Sequence, residues 1–128
     1  MIKPKSKSQW DRMKASAIKK WQRGLKSDDS YGRNGYRNFI DKIMESDPIC
    51  KFMFSHFGEY DYEKKCKICP LDIDTKHECG EEFYTFSTSN TLQQFLAVLP
   101  PMINLIEAIN YKDYIRKVKE YNLSEANW

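Results

Sequence analysis

The chain of 128 residues has only two histidines, His56 and His77. That scarcity removes most nucleophilic and acid–base machinery, in which a nucleophile, a base and an orienting group must meet. There is no G-x-S-x-G elbow and no H-E-x-x-H zinc-protease pair. Glycine is also scarce, at five residues, and Gly32 and Gly35 in YGRNGYR fit a turn and a helix entry better than a phosphate-cradling loop. No pair of catalytic carboxylates stands out. The sequence therefore points away from an enzyme. No apolar run suits a membrane span or a signal-peptide core, so a cytoplasmic location is expected, where thiols stay reduced. Repeats, long linkers and low-complexity tracts are missing too.

What is present is apolar and aromatic side chains, at 41% and 14% of the residues, enough to exclude a disordered chain. One domain over 1–128 is expected, with a single modest core near the size at which an added staple matters. Charge is unevenly spread. Residues 1–26 hold nine Lys and Arg against Asp11 alone, a net of +8, whereas the rest holds 12 basic and 17 acidic residues, a net of −5. A basic arm on an acidic body suits contact with phosphate, or with an acidic partner, through the first segment.

Hydrophobic spacing gives mostly α structure: a small single-domain helical bundle with a minor β or irregular zinc knuckle. Ser8 and Asp11 resemble a helix-starting box. Beyond them Trp10, Met13, Ala17, Trp21 and Leu25 recur at helical spacing, opposite a basic stripe of Arg12, Lys19, Arg23 and Lys26. The turn formers of 27–35 precede a second helix with Tyr36, Phe39, Ile40, Ile43 and Met44 inward. Asp47-Pro48 opens a short buried helix closed by Gly58. EEFYTFSTS, from Glu81, has strand character. Helices over 89–121 follow, capped at Ser89 or Asn90, with Leu92, Phe95, Leu96 and Leu99 inward. Pro100-Pro101 is expected to break or kink them, and a later cap is formed by Asn110 and Asp113.

Three of the four cysteines fall in KCKICPLDIDTKHECG, residues 65–80. Cys66 and Cys69 have the C-x-x-C spacing that lets two sulfurs reach one Zn2+, and Cys79 and His77 follow as further ligands. The preferred set is Cys50, Cys66, Cys69 and Cys79, with His77 as the alternative fourth ligand. Cys50 could equally be an ordinary small core residue. His56 is a distant candidate, better placed at a helix end or the surface. A thioredoxin-type pair would need a βαβ setting, and a deaminase would need H-x-E before P-C-x-x-C; neither is present. Four protein ligands leave no open position, so the zinc would be structural.

The C-x-x-C-P-L element, preceded by an aromatic helix containing Cys50 and followed by EEFYTF, resembles small zinc-containing phage-encoded proteins over roughly 48–86. Among these the chain looks most like a type II anti-CRISPR protein, with the first cysteine pair reduced to Cys50. The resemblance implies a non-enzymatic inhibitor, in an infected bacterial host, that docks on a CRISPR RNA-guided nuclease and blocks target DNA loading or activation. The guide RNA would be a possible added contact. Such nucleases offer basic channels, which an acidic face of Asp72, Asp74, Glu78, Glu81 and Glu82, with Tyr60 and Tyr62 nearby, would meet. The rival expectation is a nucleic-acid-binding regulator that uses the basic stripe of the first helix, and a third is a self-associating phage structural protein.

Overall fold

The computed structural model describes residues 3–32, 34–57, 66–71 and 80–126. They form a helical bundle of α1 (Lys7–Gln22), a 3₁₀ turn (Arg23–Lys26), α2 (Tyr36–Ser46), α3 (Pro48–Phe57), α4 (Gly80–Ser87), α5 (Leu92–Ala108) and α6 (Tyr111–Ala126). No strand occurs among the described residues; Asp28 and Gly35 form an isolated bridge. α1 packs on α3, α5 and α6, and α4 packs on α5 and α2. Gly58, Tyr60, Tyr62, Asp72, Asp74, His77, Glu78 and Cys79 lie outside the described residues, as do the side chains of His56 and Glu81.

α1 is organised by two tryptophans. Trp10 stacks on Tyr114 at 5.0 Å and meets Phe52 edge-on, while Trp21 packs against Phe86 at 4.8 Å and against Phe39 and Phe83. Each fully buried ring removes a large apolar area from water, and aromatic geometry adds about 0.5–1.5 kcal/mol per pair. Trp10, Met13, Ala17 and Trp21 are buried as their spacing predicts. Leu25 is not: it is 50% exposed. After Gln22 the chain tightens to three residues per turn, which rotates Leu25 out of the stripe and brings Gly24 inward. A Cβ on Gly24 would lie 2.8 Å from the Phe39 ring and 2.9 Å from Leu99 Cδ2. The missing side chain lets Phe39 approach α1. Met44 and Leu96, expected inward, are exposed as well.

The caps correct the sequence expectation twice. α1 is started by Ser6 with Gln9, two residues before the expected Ser8 and Asp11: Gln9 N–H donates to Ser6 Oγ at 3.3 Å, and Ser6 N–H to Gln9 Oε1 at 3.1 Å. Asp11 instead pairs with Lys7. α5 is capped by Thr91 rather than Ser89 or Asn90, through Gln94 N–H to Thr91 Oγ1 at 3.1 Å. The caps expected at Asp47-Pro48 and at Asn110 and Asp113 form. Ile49 N–H donates to Asp47 Oδ1 at 2.9 Å, and Asn110 and Asp113 exchange side chain-to-backbone bonds.

The strand reading fails, and of the break or kink expected at the two prolines the break does not occur. The segment read as a strand is helix α4, in which Phe83 and Phe86, three residues apart, both face Trp21. Its hydroxyls bend back onto the last carbonyls, Thr88 Oγ1 to Tyr84 O at 2.9 Å and Ser89 Oγ to Thr85 O at 3.3 Å. Ring packing on one helical face outweighs β propensity, and the hydroxyls satisfy acceptors that the helix end would leave open. Pro100 and Pro101 do not end α5, which runs through both. The acceptors they free, the carbonyls of Leu96 and Ala97, belong to exposed residues where water can serve them, while Leu99, Met102, Ile103 and Ile106 are buried on the other side. Among the described residues no single helix is long and apolar enough to cross a membrane.

Candidate functional site

The end of α1, the 3₁₀ turn, the following loop and α2 enclose an open groove of about 520 Å³. Its walls carry four cationic side chains. Lys20 comes from α1, Arg23 and Lys26 from the 3₁₀ turn, and Lys42 from the opposite wall on α2. Arg23, Lys26 and Lys42 are exposed, and none of them is in an ion pair among the described residues. Lys20 is half-buried and anchored by two bonds, to Ser46 O at 2.9 Å and to Ser46 Oγ at 2.7 Å. Burial, with help from neighbouring Lys51, holds its ammonium below the usual lysine pKa.

The one carboxylate in the lining, Asp28, is engaged inside the loop. Its Oδ1 accepts from Ser30 N–H at 3.0 Å and from Ser30 Oγ at 2.6 Å, and these bonds keep the carboxyl below its ordinary pKa. The base of the loop is closed by Tyr36 N–H to Asp28 O at 3.1 Å, and Gly35 N–H reaches Gly32 O at 3.2 Å. Gly35 has an ordinary negative φ; glycine is required there for space, since a Cβ would land on the Ser30 carbonyl oxygen. Asn34 and Asn38 add amides to the wall, and Phe39 and Ile43 add apolar surface.

At the α2–α3 corner, within electrostatic reach of Lys20, Asp47 is 5% exposed. Burial pushes its carboxyl up to about 6. The bond from Ile49 N–H, the nearby Trp21 indole and Lys20 favour the ionised form but only partly offset that. Trp21 Nε1 is buried and completes no hydrogen bond among the described residues.

The expected basic stripe is thus divided. Arg23 and Lys26 line the groove, whereas Arg12 and Lys19 are exposed elsewhere on α1, with Arg12 Nε donating to Ser8 O at 3.4 Å. Sequence spacing missed Lys20, Lys42, Asn34 and Asn38. Lys20 belongs to the same basic segment, but Lys42 sits in a helix with no basic pattern of its own, and only folding brings it opposite Arg23.

Of the expected zinc ligands, Cys66 and Cys69 lie in a tight turn closed by Cys69 N–H to Cys66 O at 3.2 Å. Cys69 is buried, while Cys66 and Cys50 are half-buried. Among the described residues no three His, Cys, Asp or Glu side chains stand together to hold a metal. A site would need Cys79 or His77, which lie outside them. Of the expected acidic face, Glu82 alone has a described side chain, and its Oε2 is buried with no hydrogen-bond partner among the described residues. Comparison with known proteins found no matching family model, no matching curated protein and no matching solved structure.

Proposed function

We propose that this protein is a non-enzymatic binding module that holds nucleic acid in the groove between α1 and α2. The observation that supports this most is the convergence of Lys20, Arg23, Lys26 and Lys42 on one trough in which, among the described residues, the only carboxylate is occupied by Ser30. Phosphate contacts dominate nucleic-acid affinity, and each one releases counterions. Four contacts imply that affinity falls roughly 50- to 150-fold between about 50 and 200 mM salt. Exchanging Arg23, Lys26 and Lys42 together for Glu leaves the exposed walls folded. The exchange is expected to weaken binding more than about 100-fold and to flatten most of the salt dependence. Fluorescence anisotropy with labelled oligonucleotides across a salt series reads both quantities. Salt-independent binding, or a triple variant as tight as the parent, would sink this reading. No nucleic-acid binding, together with co-elution on an RNA-guided nuclease, would replace it with the inhibitor expected from the phage-protein resemblance.

A structural zinc remains part of the proposal, supported by the Cys66–Cys69 turn and the nearness in sequence of Cys79 and His77. Its role would be to close the chain, without chemistry at an open position. Elemental analysis should find one zinc per chain, and a strong chelator should lower the melting temperature. Metal-free protein from zinc-supplemented expression, melting unchanged in chelator, would remove the ion from the account.

A further inference from the structure

We infer that the groove takes single-stranded rather than duplex nucleic acid, with Tyr31 as a stacking platform for an unpaired base. The inference rests on the nucleic-acid reading above and narrows its ligand. Three observations carry it, and the first is shape. The cations stand on two facing walls of a concavity of about 520 Å³, a volume in the range of small-ligand pockets. Such a trough encloses one phosphodiester strand from both sides. A duplex groove is entered instead by a convex helix or ribbon, whereas here the cations line a concavity between two elements.

The second observation is an exposed aromatic on the loop that walls the groove. Tyr31 is 88% exposed, the most exposed large hydrophobic side chain described. It stands at the tip of the loop that supplies Ser27, Asp28, Asn34 and Gly35 to the groove wall. That loop is fastened rather than loose: Tyr36 N–H to Asp28 O closes its base, and Ser30 is tied to Asp28 just before Tyr31. The next residue, Gly32, faces open space, with nothing but its chain neighbours within 4 Å of where a Cβ would be. An apolar ring left in water on the loop that supplies part of a cation-lined wall matches how single strands are held, with the backbone tracked by charge and the bases stacked on aromatics. In a duplex, the base faces are already stacked and unavailable.

The third is the presence of amides in the same wall. The exposed Asn34 offers both donors and acceptors, which suit the Watson–Crick edge of an unpaired base. Phosphates alone would need donors only.

The test is fluorescence anisotropy with three labelled probes of equal length: an oligothymidylate, an oligouridylate and a DNA duplex. Single strands are expected to bind at least about tenfold more tightly than the duplex, and Tyr31→Ala should weaken them roughly tenfold or more. Tyr31→Phe should keep the parent affinity, and duplex binding should not respond to either change. Duplex binding as tight as single-strand binding, or Tyr31→Ala without effect on single strands, overturns the inference while leaving the nucleic-acid reading in place. Failure of all three probes withdraws both. Circular dichroism of the variants, altered at one exposed side chain, confirms that the fold is unchanged.

Discussion

Trp21→Ala is expected to cost about 3–5 kcal/mol of stability, a large share of the roughly 5–15 kcal/mol that a domain possesses. Trp21 is fully buried, and it is where α1, α2 and α4 meet through Phe39, Phe83 and Phe86. Truncation removes the transfer free energy of the indole and leaves a cavity that three rings, two of them (Phe39 and Phe86) backed by Phe95, can fill only in part. Trp21→Phe should cost much less. It keeps an aromatic in place, and the indole N–H it discards completes no hydrogen bond among the described residues and only in part favours the ionised Asp47 nearby. Urea unfolding followed by circular dichroism measures both; a loss below about 1 kcal/mol for the alanine variant would show that this cluster does not organise the core.

The second large effect is tied to pH. Asp47 has a carboxyl pKa raised from 3.8 to about 6 by burial, so between pH 4 and 6 the folded chain binds its proton more tightly than the unfolded chain does. The stabilisation this provides is complete below the unfolded pKa, declines as pH rises through the folded pKa, and is gone above it. Two pKa units correspond to about 3 kcal/mol. Asp47→Asn keeps an acceptor for Ile49 N–H without the buried charge, at the cost of the attraction to Lys20. It is therefore expected to be more stable than the parent by about 1–3 kcal/mol at pH 7.5, with the difference shrinking towards pH 4. Stability curves at several pH values give the answer. A difference that does not change with pH would mean that Asp47 titrates as in the unfolded chain. The same measurement bears on the groove, because Asp47 lies beside Lys20, and the ionised carboxylate raises the ammonium pKa that burial and Lys51 lower.

The expectation of a mostly helical bundle was met, since period-3.6 burial of Trp10, Met13, Ala17 and Trp21, and later of Ile103, Ile106, Tyr114 and Val118, follows from side-chain type alone. The Asp47-Pro48 and Asn110–Asp113 helix starts were legible for the same reason: a cap is a local bond between neighbours in sequence. Local reasoning failed where packing between distant elements outweighed propensity. GEEFYTFS is rich in strand formers, yet Phe83 and Phe86 become helical because Trp21 offers one surface to both. The two prolines of α5 look like a stop until their freed acceptors prove to belong to exposed residues.

By itself the sequence determined the helical class, the polarity of charge between the first 26 residues and the rest, and the amphipathic face of α1, because each is a property of composition or of spacing along one element. Only the tertiary structure decided which cations line one groove. Lys42 is 19 residues beyond Arg23 in a helix without a basic stripe, and it faces the turn that carries Arg23 because Gly24, lacking a side chain, lets the Phe39 ring of α2 come against it.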